Sequence, residues 1–425
     1  MLLATACTSS AQILARPGYK DTSVRTDLWW KNAIFYNIST DPIDSKAISA
    51  RLDALRALNV DALILPAPTF LAPGSRGPMP NLDAFDDLLR QASAHGIRVV
   101  LTIRATGNSA DLSGLARFWL NRGVAGLHIA TVAGEDTQAI IQSVRKLASN
   151  VVGQRIIVSD ADLAPPDAAS KPHHATASRA STLLVSQLQI DKRADSLPIL
   201  DATSLRPLLT EANTQPNLIV DLRAPDSSGA RPPLAEAVAA IALITQPAAL
   251  IDSSANLMLE PTPEHREVVE EPKPAPKPRP QAAPPGTYLP YVPFVPPAKP
   301  KPAEAPKPVP EDPLTTWYRQ LSALHHDNGV LRTGNKIFLD FDAQNALVWV
   351  TKPASNAPRL TAPVVVICNL SASPLQLSLA DAMKRLDLHG FYLRTLLRTD
   401  HAMGAQDINA VNVPAFSVYI GELHR

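Results

Sequence analysis

Five polar residues stand where chemistry could be done: His128, Asp160, Asp162, Asp221 and Arg223. Each lies in or just beyond a short apolar run, where a buried strand would end. Two carboxyl groups facing one cleft can divide acid and base work between them. Asp160 and Asp162, two apart at such an end, could share a cleft, or they could be ordinary loop acids. His128, Asp160 and Arg223 together could line a polar pocket that binds a ligand without transforming it. The pairs His173-His174 and His325-His326 do not have metal-ligand spacing. Neighbours on a chain rarely both reach one ion, and no Cys or carboxylate pattern accompanies them, so a surface or helix-end role is expected. Phosphate loops, nucleophile elbows and metal signatures are absent from the sequence, so neither a cofactor nor a metal is expected.

The elements that must position these residues are organised around Phe118–Val132. Phe118-Trp119-Leu120 closes a helix, Arg122 sits in its last turn, and Gly123 suits the left-handed position after it. Val124–Val132 then reads as a buried strand. The same alternation of strand and helix runs from about residue 27 to about 260. The expected strands are 33–38, 61–66, 97–103, 126–132, 155–159, 218–222 and 248–252, with a sixth at either 183–185 or 199–201. Helices are expected at 81–95, with Leu82, Phe85, Leu88, Leu89 and Ala92 on one face, at 112–122, at 137–147 and at 234–244. Eight βα repeats at this length suit a (β/α)8 TIM barrel.

Residues 261–313 are a different material, holding 19 of the chain's 41 prolines. Such a stretch can build neither a helix nor a central strand, and polyproline II is expected. Its middle, Tyr288 to Phe294, is aromatic and could dock on a folded surface or on a protein partner. From Asp312 the sequence is globular again. A helix with Trp317, Leu321 and Leu324 on one face leads into strand-like runs at 346–350, 363–370, 375–379, 391–396 and 416–420.

A net charge of +1 gives no basic footprint for nucleic acid, and no apolar run reaches the length of a membrane span. Of the two cysteines, Cys368 lies in an apolar run and reads as a buried small residue, while Cys7 follows Ala4-Thr5-Ala6 as in a weak lipobox. The small-residue N-terminus is expected to be an export-signal remnant, cut at a signal-peptidase site or lipid-anchored at Cys7, so the protein is expected to be exported: periplasmic, envelope-attached or secreted.

At several points the sequence resembles the α-amylase family, glycoside hydrolase family 13. Trp29-Trp30-Lys31 with Phe35-Tyr36 resembles the opening of its barrel, and Asp61–Pro66 resembles its second strand. Phe118-Trp119-Leu120 followed by Gly123-Val124 and Gly126-Leu127 resembles the frame around its nucleophile. Trp317-Tyr318-Arg319-Gln320-Leu321 resembles its last barrel helix, and Pro414–Tyr419 the end of its C-terminal sandwich. The resemblance implies a (β/α)8 barrel over residues 27–260, preceded by 1–26 and interrupted by a Pro-rich insertion, 261–312. The last barrel helix and a C-terminal antiparallel β-sandwich would then occupy 313–425.

The family's chemistry needs two carboxyl groups about 5–5.5 Å apart. Alignment to its motifs puts Ala130 at the nucleophile, His128 at its orienting Arg, Asp160 at the acid/base Glu, and Arg223 at the third carboxylate, with Asp221 a survivor if the register slips. Thr102, Thr106 and Gly107 replace its Asp, Asn and His after the third strand. Alanine has no atom with which to attack. The expectation is a catalytically inactive homologue that binds carbohydrate or protein, with an oligosaccharide as the possible ligand. The alternative is an active α-glycoside hydrolase with relocated carboxylates such as Asp160 and Asp221.

Overall fold

Apolar strands that alternate with helices can bury both their faces in one way, as a parallel sheet wrapped by those helices. The computed structural model describes residues 28–39, 43–68, 82–104, 109–130, 137–151, 153–160, 181–189, 201–215, 217–223, 234–255, 257, 259, 312–358 and 361–425. Its first eight strands are β1 (Ile34–Asn37), β2 (Ala62–Pro66), β3 (Arg98–Arg104), β4 (Gly126–Ala130), β5 (Ile156–Asp160), β6 (Ser181–Gln189), β7 (Leu218–Arg223) and β8 (Ala249–Asp252). They pair in parallel in the order β8-β1-β2-β3-β4-β5-β6-β7, and β8 lies beside β7, which closes the ring. The helices between them are α1 (Ser45–Ser49), α2 (Leu52–Ala57), α3 (Asp83–Ala94), α4 (Ser109–Asn121), α5 (Thr137–Ala148), α6 (Ala202–Thr214) and α7 (Ala235–Ile244). The chain then resumes with α8 (Pro313–Asp327), α9 (Gly329–Thr333), β9 (Asn335–Leu339), β10 (Ala346–Lys352), β11 (Val364–Asn369), β12 (Leu375–Leu377), α10 (Ala380–Arg385), β13 (Tyr392–Arg398), β14 (Ala405–Asp407), β15 (Val411–Val413) and β16 (Val418–His424). Strands β14-β13-β16-β11-β10-β9 form one antiparallel sheet and β12-β15 a second. The expected barrel with its antiparallel C-terminal domain is therefore the architecture observed.

The sixth strand takes the first of its two expected positions. The other ends at Asp201, which instead caps α6: its carboxylate accepts from the backbone N–H of Thr203 and Ser204. Cys7, Asp162, His173-His174 and residues 261–311, with Tyr288–Phe294, lie outside the described residues.

Strand alternation sorts the barrel into two layers. Phe35, Ile64, Val100, Val158, Ile219 and Leu250 fill the interior, closed from below by Trp30. The residues between them, such as Ile34, Leu63, Leu101, Leu127 and Val220, face the helices. Gly126, at the start of β4, is required by packing. A Cβ there would stand 2.4 Å from the Ile156 carbonyl oxygen and 2.6 Å from its Cγ1. Arg122, in the turn before, makes a two-pronged ion pair with Asp86 of α3 and lies over the Phe118 ring.

The barrel and the sandwich share one core. Helix α7 is apolar on every side, and Ala237–Ile244 are all buried. It packs on β7 and β8, on α8, and on β11 and β16 of the sandwich. Trp317 Nε1 of α8 donates to the Glu236 carbonyl at 3.0 Å. Arg206 of α6 grips Asp342 with bonds of 2.6–3.1 Å. Asn345, in the left-handed conformation between β9 and β10, accepts from Ala202 N at 2.8 Å and donates to the Leu370 carbonyl at 3.0 Å.

His325 takes the second of the two roles expected for it, at a helix end, and is fully buried there in the last turn of α8. His326, beside it, is partly exposed and lies 3.5 Å from Asp327. Burial pushes the His325 imidazole down to about 4, with the Lys336 charge adding to the effect. Burial also pushes the Lys336 amine down to about 8.

Two outcomes follow. Gly126→Ala should cost about 1–3 kcal/mol in urea unfolding, since neither contacting atom is the free end of a side chain. His325 binds its proton more readily when unfolded, so stability should fall as pH drops from about 6.5 towards 4, by about 3 kcal/mol in total, and His325→Leu should flatten that limb.

Candidate functional site at the barrel mouth

In a parallel barrel, the side chains at the carboxyl ends of the strands line the mouth. Above the apolar layer the inward positions turn polar. On β1, Phe35 is followed two residues later by Asn37; on β8, Leu250 is followed by Asp252. Strand register sets Asn37 opposite Asp252, and Asn37 Nδ2 donates to Asp252 Oδ2 at 2.8 Å. Asp252 Oδ1 accepts from Ser254 N at 2.8 Å. Asp252 is buried, and its carboxylate ties β8 to β1 across the seam where the chain's first strand meets its eighth.

A second pair spans β3 and β4. Thr102 is in register with His128, and Thr102 Oγ1 lies 3.1 Å from His128 Nδ1. His128 is partly buried. Ala130 ends β4, two residues on and in register with Arg104. Asp221 is 1% exposed and lies two residues beyond the interior Ile219, so it shares the inner face of β7. Asp160 ends β5 opposite Val185, and Arg223 ends β7 opposite Gln189. Asp162 lies outside the described residues.

Four of the five residues expected from sequence fall in the inward alternation of their strands: His128 and Asp221 on inner faces, Asp160 at the strand end two residues beyond the interior Val158, and Arg223 at the strand end two beyond Asp221. His128 is paired with Thr102. Sequence reasoning missed Asn37 and Asp252. The signal was available: each is a polar residue ending an apolar strand, at the same alternation as an interior residue.

Beside the mouth, on the outer side of β1, lies a cleft of about 360 Å³ lined by Tyr36, Asp44, Ile48, Arg51, Ser253 and Leu257. Its charged groups are already engaged. Asp44 caps α1, and Arg51 Nε donates to the Leu259 carbonyl at 3.2 Å. Burial, with the nearby Asp252 charge adding to it, pushes the Tyr36 phenol up to about 12, so it stays protonated and remains a donor. Among the described residues no cluster of three or more His, Cys, Asp or Glu is placed to hold a metal ion, and no helix is long and apolar enough to cross a membrane.

Chemically, the described mouth offers hydrogen-bonding groups held by one another. Removing the Asp252 carboxylate leaves Asn37 and Ser254 N without that acceptor. Asp252→Ala should lower stability by about 1–3 kcal/mol, and Asp252→Asn by less, read from urea unfolding midpoints.

No family profile matches the sequence, and no curated protein matches it. Solved structures do match in fold. A trehalulose synthase variant aligns with a TM-score of 0.60 at 12% identity, covering 93% of this chain and 99% of its own. A variant of the Bacillus licheniformis trehalose-6-phosphate hydrolase aligns with a TM-score of 0.60 at 14% identity, covering 93% and 100%. The debranching enzyme of Nostoc punctiforme aligns with a TM-score of 0.57 at 14% identity, covering 93% and 98%. These alignments run through barrel and sandwich alike, so the fold of this chain is that of the α-amylase-family enzymes of glycoside hydrolase family 13.

Proposed function

We propose that the chain is a homologue of the glycoside hydrolase family 13 enzymes that binds carbohydrate without hydrolysing it. The observation that carries this reading is Ala130. It ends β4, where the motif alignment of the sequence puts the nucleophile, and its side chain is a methyl group. Two residues earlier, His128 stands in place of the orienting Arg and is paired with Thr102. A retaining mechanism needs a carboxylate that attacks and another that donates a proton. A methyl group can do neither, whatever the local electrostatics.

The ligand class follows from the barrel-mouth chemistry and from what the structural neighbours are called. Hydrogen-bonding groups such as Asn37, Thr102 and His128 suit sugar hydroxyls. The neighbours' names refer to trehalulose, trehalose 6-phosphate and debranching. We therefore assign α-linked glucose oligosaccharides as the ligand. Export of the protein, with Cys7 as a lipid anchor, and engagement of a protein partner by the Pro-rich segment belong to the same proposal and rest on sequence alone.

A second reading, an active α-glycoside hydrolase with relocated carboxylates, is favoured by one observation. Asp221 is a buried carboxyl-bearing residue on the inner face of β7, and Asp160 ends β5. Calorimetric titration of the full chain with maltooligosaccharides and trehalose, beside a sensitive hydrolysis assay on the same samples, separates the two. Saturable binding with no released sugar is the expected result. Turnover that disappears in Asp160→Asn or Asp221→Asn would sink the non-catalytic reading.

A further inference from the structure

The joint between barrel and sandwich holds buried polar groups that the mouth does not use. Lys336 lies on the barrel-facing side of β9 and is 6% exposed. Its Nζ donates to the Leu331 carbonyl at 2.9 Å. An ammonium has three N–H donors, so two have no partner among the described residues. Burial is the influence that depresses its pKa, and no carboxylate among the described residues offsets the charge.

The groups around it have the same need. Thr351, opposite Lys336 in the β9–β10 register, is fully buried, and its Oγ1 has no hydrogen-bond partner among the described residues. The same holds for Trp349 Nε1, on the same face of β10, and for Gln246 Nε2, in the turn after α7. His325, on α8, sits against the backbone of Gln246 and Pro247 and feels the positive charges of Lys336 and Arg332. The orphaned nitrogens of Trp349 and Gln246 are donors, and a hydroxyl can donate as well. A buried charge is ordinarily paired, and buried donors ordinarily find an acceptor.

We propose that the joint binds a small inorganic anion of halide size, held by the Lys336 ammonium with the Gln246 amide and the Thr351 hydroxyl. A single anion supplies what these three groups lack: an acceptor for the donors and one negative charge for Lys336. Water would meet the donors and leave the charge uncompensated. Lys336 and Thr351 are register partners in the sandwich and Gln246 follows α7 of the barrel, with His325 of α8 against both the Gln246 backbone and the Lys336 charge, so an anion shared by them would pin the sandwich to the barrel. A ligand that binds only the folded chain stabilises it in proportion to its occupancy.

The test is thermal unfolding of the full chain with sodium chloride titrated against sodium gluconate at constant ionic strength. The melting temperature should rise with chloride and saturate, and Lys336→Met should abolish the response. Crystals of the native chain grown in bromide should show an anomalous peak within contact distance of Lys336 Nζ, which decides the matter should the variant not fold. Equal melting temperatures in chloride and gluconate, or bromide crystals with no peak at the joint, would overturn the proposal and leave the donors to internal water.

Discussion

Helix α7 cannot exist in water, and the rest of the molecule is arranged around that fact. From Ala237 to Ile244 it has no polar face. A helix that is apolar all round must be enclosed all round. The barrel covers it with β7 and β8, the sandwich with β11 and β16, and α8 closes the remaining side. Removing either half would expose it. The apolar cluster accordingly runs without a break from barrel residues such as Leu63 and Leu127 to sandwich residues such as Trp349 and Ile420. Arg206–Asp342 and Asn345 fix the orientation of the two halves at the rim of this contact, where bonds with directional geometry set an angle that burial alone does not.

Inside the barrel the same alternation governs packing and site. Residues two apart on a strand share a face. The layer of Phe35, Ile64, Val100 and Leu250 therefore dictates which residues stand above it. Those are Asn37, Thr102 and Asp252, with His128 on the neighbouring strand. They bond to each other across neighbouring strands, Asn37 to Asp252 and Thr102 to His128. These pairs thus join β8 to β1 and β3 to β4 at the mouth by bonds between side chains.

Much of the barrel was legible in the sequence because burial on both faces writes itself as short apolar runs. Gly123 and Gly126 were legible as a turn and a strand start, although only the structure shows why Gly126 tolerates no side chain. The sandwich was less legible. β9 carries Asn335 and Lys336, and Lys336 is buried against every expectation for its type, while β14 is a polar edge strand of three residues. The site was half legible. His128 and Asp221 were marked by lying in apolar strands. Asn37 and Asp252 end apolar strands just as visibly, but the bond between them forms only when β1 meets β8, 215 residues away along the chain. The burial of His325 was not legible because the face of its helix was drawn through Leu324. The buried stripe runs through Trp317, Tyr318, Leu321 and His325 instead, one step round the helix.

Helix α8 covers α7, yet it begins at Pro313, some sixty residues after the end of β8. Completing the barrel therefore requires the chain to close a long loop. The entropy of that closure grows only as the logarithm of length, by about 0.6 kcal/mol for each doubling. The separation in sequence thus weighs little in free energy beside the burial of α7, which the contact with α8 helps to achieve.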